Sequence, residues 1–325
     1  MSEPAPDDKP TSEPEPEAPR SKAREWLLPL ALMGLTFVSM MWTAAFAEHQ
    51  WDAHNHLEDG LPFATALMTI LFAHEMGHYI AALLHKVDVS PPYFIPMPFF
   101  MLGTLGAVIA MRGEIRSRNA LLDVGAAGPL AGLAVALPIL CYGIATSPID
   151  PLPPRDEVEL ILEGHSILYE LLLYAFHGPI AEGHDITLSQ IAFAGWAGLV
   201  VTMINLIPHG QLDGGHIAYA LVGPKQDRYG EVVLRALPVI AFLSSGYYVL
   251  QAFLDQAPWS VIKDEALAGA PWLFWFVLLN FMGRFSGMEH PPTEDATLSP
   301  VRRIVAIGTL AVFVLLFMPS WGRAY

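Results

Sequence analysis

Cysteine and charge are both scarce in this sequence, and each scarcity excludes a class of protein. Cys141 is the single cysteine in 325 residues, so a framework of internal disulfides cannot hold the fold together. Charged residues make up 15% of the chain, whereas soluble domains average about 25%. The 17 basic residues are outnumbered by 32 acidic ones, which argues against nucleic acid as a partner because phosphate binding needs a basic surface.

Apolar residues are abundant instead. They account for 53% of the chain, and the mean hydropathy is +0.41. This excess is too large for one soluble core, so we predict an integral protein of the lipid bilayer. The expected fold is all-α and polytopic, with about seven transmembrane helices. The candidate spans are 26–46, 62–85, 120–145, 190–222, 232–254, 268–284 and 303–320. The span 190–222 is expected to contain a break, because its second half is polar.

The segment 91–111 is apolar but unsuited to a helix. Its first eight positions contain four prolines, at 91, 92, 96 and 98, and this density forbids a regular helix. The stretch Thr104–Met111 that follows is richer in strand-forming residues. We therefore predict a re-entrant, partly β segment near 91–111 that enters and leaves on one side of the membrane. The alternative is a hydrophobic packing loop.

Basic residues are distributed unevenly across this topology. With seven spans, 14 of the 17 lysines and arginines fall on the side of the N-terminus. Such a bias follows the positive-inside rule and predicts a cytoplasmic N-terminus. A full crossing by 91–111 would move Arg112, Arg116 and Arg118 outside and weaken the bias. The expected location is therefore a multi-pass position in a bacterial inner (plasma) membrane.

An HExxH motif lies inside the predicted transmembrane helix 62–85. His74 and His78 are four residues apart and share one helical face, so their rings can bind one metal ion. Glu75 lies beside them, where a carboxylate can take a proton from an attacking water. The alternative is a pair of structural histidines hydrogen-bonded between helices. Three ionisable groups at membrane depth are costly and usually mark function, which favours the metal site.

A catalytic zinc site usually has three protein ligands, so a further buried ligand is expected. Asp213 is the candidate, within the segment NLIPHGQLDGGH that begins at Asn205. Pro208 and Gly210 interrupt the helix there, and the predicted topology places Asp213 at a depth similar to that of His74 and His78. An ordinary Asp-Gly turn is the alternative. Beside HExxH, the ligand interpretation is favoured.

The pairing of HExxH with this aspartate segment resembles the site-2 proteases, which are intramembrane zinc metalloproteases. The resemblance covers roughly 62–222 and implies that His74, His78 and Asp213 bind one Zn²⁺ per chain while Glu75 activates water. The small-residue stretch Gly125–Gly132 looks like the family's motif on the core helix between them. No PDZ-like insertion is visible, so the branch without a PDZ domain is the better match.

The resemblance also makes Asn205 a candidate for holding the substrate or the oxyanion, although a helix–helix hydrogen bond is the alternative. The expected substrates are transmembrane proteins, cut in or near a membrane-spanning segment. Because a helix hides its carbonyls, the substrate must be extended there, and the segment 91–111 could supply a strand edge to it. Two other functions stay open, namely a non-proteolytic relative with a structural or sensing metal site and a metal-ion carrier. The sequence predicts no oligomeric state.

These assignments divide the chain into four predicted parts. They are a disordered cytoplasmic tail (1–24), a first transmembrane anchor with an outer loop (25–61), a catalytic intramembrane core (62–222) and C-terminal transmembrane helices (223–325).

Several further polar residues have more ordinary predicted roles. Asp123 is predicted to cap the helix 120–145, with support of the metal site as the alternative. A histidine-rich stretch of the first outer loop is predicted to be a solvated polar loop, although a second metal site is conceivable. Its polar residues are His49, Asp52, His54, His56, Glu58 and Asp59. His209 and His216 have no assigned role.

Overall fold

The structure is a computed structural model that describes residues 22–113, 115, 117–153, 161–286 and 297–324. Most of the predicted disordered tail therefore lies outside the described residues, and the first helix already begins at Lys22. The helices are α1 (Lys22–His49), α2 (Leu61–Leu84), α3 (Arg118–Thr146), α4 (Ile167–His177), α5 (Gln190–Asn205), α6 (Asp213–Val222), α7 (Lys225–Leu254), α8 (Trp259–Glu265), α9 (Ala270–Ser286) and α10 (Pro300–Leu316). Two 3₁₀ turns, Gln50–Asn55 and Leu57–Gly60, join α1 to α2.

Six short strands form three antiparallel pairs within the described ranges. The pairs are β1 (Tyr93–Pro96) with β2 (Thr104–Val108), β3 (Ile149–Pro151) with β5 (His184–Ile186), and β4 (Ile161–Glu163) with β6 (Gly322–Ala324). The described chain is thus mostly helical, and its strands are short and lie outside the helices.

Five helical stretches of the described chain are long and apolar enough to cross a bilayer. They are Glu25–His49, Leu57–Leu84, Arg118–Thr146, Lys225–Leu254 and Trp259–Arg284. α5 and α10 are also apolar, but with 16 and 17 residues they are shorter than a typical span. These helices make the chain an integral membrane protein, with five candidate spans where about seven were predicted.

Small residues allow α2, α3 and α5 to pack closely at the centre of the molecule. A Cβ atom at Gly77 of α2 would collide with the carbonyl of Ala127 on α3. On the other side of α3, a Cβ at Gly195 of α5 would lie 2.7 Å from the backbone of Leu140. Since lipid tails are as apolar as leucine, such close van der Waals contact is what holds helices together in a membrane.

The predicted break in 190–222 is confirmed. α5 ends at Asn205, an irregular turn follows, and α6 begins at Asp213. Gly210 adopts a left-handed conformation, with φ of +52°. A Cβ at Gly214 would collide with the carbonyl of Leu206, so the glycine lets the start of α6 fold back against the end of α5.

The prediction of strand structure within 91–111 is also confirmed, because β1 and β2 form an antiparallel hairpin in this segment. α1 holds the turn of the hairpin. The hydroxyl of Ser39 donates a 2.6 Å hydrogen bond to the carbonyl of Gly103, and Gly103 itself has a φ of +71° and packs against the backbone of Met40. The first helix therefore positions a β element beside the central helices.

The predicted capping role of Asp123 is wrong. α3 begins at Arg118, so Asp123 lies within the helix. Its carboxylate accepts hydrogen bonds from Arg302 of α10, at 2.7 to 3.1 Å, and pairs with His85 at 2.9 Å. The guanidinium of Arg302 can donate to both carboxylate oxygens, which favours this contact over a backbone cap. The carboxylate of Asp123 therefore connects α3 with α10 and with His85 at the end of α2.

Candidate metal centre

Three predicted ligands meet between α2 and α6. The Nε2 atoms of His74 and His78 lie 3.1 Å apart, and the Oδ2 atom of Asp213 lies 3.2 Å from each of them. The three atoms form a nearly equilateral triangle. Helix periodicity places both histidines on one face, and the broken α5–α6 connection turns Asp213 towards them.

The spacing of the triangle fits a shared metal ion. Zinc binds imidazole nitrogen and carboxylate oxygen at about 2.0–2.2 Å, which places two tetrahedral ligands about 3.3 Å from each other. The three side chains are mostly shielded from solvent, with exposed fractions of 4% for His74, 12% for His78 and 15% for Asp213. Two imidazoles and one carboxylate are also a common donor set of catalytic zinc, so the residues present fit this metal.

α3 fixes the orientation of the histidine rings. The Nδ1 atom of His78 lies 2.8 Å from the carbonyl oxygen of Val124, so Nδ1–H can donate a hydrogen bond to it and leave Nε2 free to bind a metal. A Cβ at Gly128 would occupy the position of the His78 ring, and one at Gly132 would lie 3.1 Å from Cβ of His74. These two glycines therefore make the space in which the ligands sit.

Glu75 and Asn205 lie next to the ligand triangle. Glu75 is buried, with 7% of its surface exposed, and it lines the same cavity of about 210 Å³ as the three ligands. The Nδ2 atom of Asn205 lies 3.5 Å from Nε2 of His74 at the end of α5. The structure thus brings all five predicted site residues together around one cavity.

The β hairpin forms a wall of this cavity. Ala107 and Val108 of β2 line it, as do Ile109 and Met111 just beyond the strand. Among the strands of the described chain, β2 pairs with β1 alone, so its second edge carries backbone groups without a strand partner. A strand with one unpaired edge therefore lies beside the metal ligands.

Sequence reasoning identified Gly125–Gly132 as a small-residue motif but missed the relation of its glycines to the ligands. A signal was present, because Gly128 and Gly132 are four residues apart, as are His78 and His74. His216, which had no assigned role, lines the cavity. His209 does not line it and instead contacts the carbonyl of Gly230 at 2.9 Å.

Comparison with known proteins places these residues in a wider group. The model of peptidase family M50 matches residues 62–244, more than half of the chain. The probable zinc metalloprotease EGY2, chloroplastic, of Arabidopsis thaliana is 29% identical over 268 residues, which cover 81% of this chain and 42% of the relative. The probable zinc metalloprotease EGY1, chloroplastic, of Oryza sativa subsp. japonica is 34% identical over 272 residues, which cover 82% of this chain and 42% of the relative.

The chain spans less than half the length of these curated relatives. No solved structure matches it. The matched range 62–244 contains the HExxH helix, the glycine-bearing helix and the aspartate segment. The chain therefore belongs to peptidase family M50, the site-2 protease family.

Proposed function

We propose that this protein is an intramembrane zinc metallopeptidase that hydrolyses a peptide bond in or near the transmembrane segment of another membrane protein. The observation that supports this proposal most strongly is the ligand triangle of His74, His78 and Asp213, with the buried carboxylate of Glu75 in the same cavity. A purely structural metal site would need neither the spare carboxylate nor the cavity.

Each residue of the site has a distinct task in this proposal. His74, His78 and Asp213 hold the zinc ion, which when bound polarises the scissile carbonyl and lowers the pKa of water. Glu75 takes the proton from the attacking water and later gives it to the leaving amine, as a general base and then a general acid. The amide of Asn205 donates a hydrogen bond to the carbonyl oxygen as negative charge develops there.

The unpaired edge of β2 can bind a substrate segment that has unwound from its helix. A transmembrane helix conceals its carbonyls in internal hydrogen bonds, so hydrolysis requires an extended segment. An extended segment added beside β2 replaces those hydrogen bonds with new ones to the strand backbone. Ala107, Val108 and Ile109 line the cavity, so a segment bound along this edge passes the metal ligands. The substrate class is therefore a transmembrane protein with a locally unstable helix.

The proposed topology keeps seven crossings. α5 and α10 complete the set, with lengths of about 24 and 26 Å at 1.5 Å per residue. The hairpin is re-entrant from the cytoplasmic side, and the N-terminus lies in the cytoplasm, as the bias of basic residues indicates. The catalytic core is 62–222, between the anchor 25–61 and the helices of 223–325. The proposed location is a bacterial inner membrane, whereas the relatives named above are chloroplastic.

The proposal is tested by replacing Glu75 with Gln, which keeps the shape of the side chain. We expect zinc content by mass spectrometry to equal that of the wild type, while cleavage of a transmembrane reporter falls at least about 100-fold, within the usual contribution of a general base. His78→Ala serves as the companion variant and should lose the zinc ion of this centre together with cleavage. Proteomics of cells with wild type or Glu75→Gln then identifies substrates as membrane proteins that accumulate uncut.

The same variant separates the competing functions. A metal-ion carrier needs the three ligands but no general base, so metal transport would survive Glu75→Gln. A structural or sensing relative would show no cleavage even as the wild type. Either outcome would overturn the proposed hydrolysis.

A further inference from the structure

A second group of metal-binding side chains lies at the opposite end of α2. One donor atom from each of His49, His56 and Asp59 falls within 4.8 Å of the others. Nε2 of His49 lies 2.8 Å from Oδ2 of Asp59, and Nδ1 of His56 lies 3.6 Å from the same oxygen. These distances bracket the separation of about 3.3 Å between tetrahedral zinc ligands.

The connection between α1 and α2 brings these residues together. His49 is the last residue of α1, and Gln50 follows it in a left-handed conformation with φ of +52°. The chain turns back through two 3₁₀ turns, so that the ring of His56 stacks on the ring of His49 with centroids 4.2 Å apart. Asp59 lies two residues before the start of α2. Two imidazoles thus share one carboxylate at the junction of the helices.

The surroundings of His56 resemble the support that metal-binding histidines receive in proteins. Its Nδ1 atom faces Asp59, while its Nε2 atom lies 3.4 Å from Oδ2 of Asp52. The other oxygen of Asp52 accepts a 2.7 Å hydrogen bond from Asn55. A carboxylate that holds one ring nitrogen fixes the ring and raises the basicity of the nitrogen that binds the metal.

We propose that His49, His56 and Asp59 form a second, exchangeable site for a divalent transition metal such as zinc, with Asp52 orienting His56. The side chains of His49, His56 and Asp59 are 25%, 43% and 44% exposed, so water can fill the remaining coordination position. A metal bound there ties the end of α1 to the start of α2. It would therefore fasten the helix that carries HExxH at its outer end.

This site is independent of the proposed hydrolysis. Asp59 and His74 are separated by 15 positions, which is about 22 Å at the rise of an α-helix. The two groups cannot share one ion, and loss of one leaves the ligands of the other in place. A test can therefore count the metal ions separately.

The test measures zinc bound per chain in the purified full-length protein, by mass spectrometry after equilibration in zinc-buffered detergent solution. We expect about two zinc ions per wild-type chain and about one in His49→Ala/His56→Ala, since each three-ligand set holds one ion. Asp59→Asn, which keeps the shape of the side chain, should also lower the count towards one. His54→Ala removes a histidine of the same loop outside the group and should leave the count unchanged.

Three results would overturn the proposal. One is a wild-type chain that saturates at a single zinc ion. Another is an Asp59→Asn variant that retains the wild-type count, because the carboxylate would then not be a ligand. The third is a His54→Ala variant that loses as much zinc as the double variant, which would indicate general binding by the loop. A retained elution volume in size-exclusion chromatography shows that each variant is folded.

Discussion

At the scale of single residues, the metal centre depends on glycines, which have no side chain, as much as on the ligand side chains. The ligands His74 and His78 sit in space that Gly132 and Gly128 leave open on α3. The backbone of α3 also supplies the carbonyl of Val124 that holds the ring of His78. Helix packing and ligand orientation therefore depend on the same residues. Gly128 and Gly132 leave room on α3 for the imidazole rings that α2 carries.

Gly128→Ala should weaken zinc binding at this centre without unfolding the protein. The added methyl group would occupy the position of the His78 ring, so the ring must rotate away and its distance from Asp213 must increase. We expect zinc affinity to fall at least about 10-fold, as it does when the support of a ligand is lost, measured by competition with a chelator. Gly34→Ala is the control, since a Cβ at Gly34 meets nothing within 4 Å. Wild-type affinity in Gly128→Ala would contradict this account.

At the scale of elements, two features connect the centre to the rest of the protein. The hairpin of β1 and β2 places an unpaired strand edge along the cavity. On the side where α2 ends, Asp123 joins α3 to Arg302 of α10 and to His85. The hairpin concerns substrate binding, so a change there should alter cleavage. The contacts of Asp123 concern the rigidity of the helices that hold the ligands, so a change there should alter thermal stability.

Ile109→Pro should strongly reduce cleavage while zinc stays bound. Ile109 lines the cavity just after β2, and proline lacks the backbone N–H through which a strand edge pairs with an extended chain. We expect a loss of at least about 10-fold in cleavage of a transmembrane reporter, from one missing backbone hydrogen bond and the altered strand end. Ile109→Val keeps the N–H group and should retain most activity. Full cleavage by the proline variant would exclude pairing at this position.

Arg302→Gln should lower thermal stability more than Arg303→Gln does. Arg302 makes a forked contact with Asp123 at 2.7 to 3.1 Å, whereas the side chain of Arg303 is exposed. Both variants remove one positive charge from the same end of α10, so their influence on topology is matched. We expect a difference of about 1 kcal/mol in unfolding free energy, since the pair is partly exposed, measured as a shift in Tm in detergent. Equal Tm values would show that the contact contributes nothing.

At the scale of the whole molecule, the proposed orientation accounts for the acidic net charge. The formal charge of −15 arises mainly from the predicted outer loops, whereas the 14 basic residues on the inner side offset the acidic ones there. Since lysine and arginine excess marks the cytoplasmic side, this charge distribution is the basis of the proposed orientation. Apart from arguing against nucleic acid, the net charge says little about a partner.

Cysteine labelling tests this orientation. In a Cys141→Ala background, which is free of other cysteines, one variant carries Ala181→Cys between α4 and α5 and a second carries Tyr229→Cys near the start of α7. Both positions are exposed. An impermeant maleimide added to intact cells should label position 181 and leave position 229 unlabelled until the membrane is opened. The reverse pattern would show that the orientation is opposite to the proposed one. Labelling of both positions from outside would exclude a single membrane crossing between positions 181 and 229.

The sequence by itself determined the membrane character of the chain, the helix that carries HExxH, the break before Asp213 and the β content of 91–111. These features follow from local rules, namely apolar length, the 3.6-residue period of the helix and the backbone limits of proline and glycine. Only the tertiary structure decided that Gly128 faces His78, that Arg302 pairs with Asp123 across 179 positions and that His49 and His56 stack. Such contacts depend on how whole helices pack and where loops turn back, and no local pattern specifies the rotation of one helix against another.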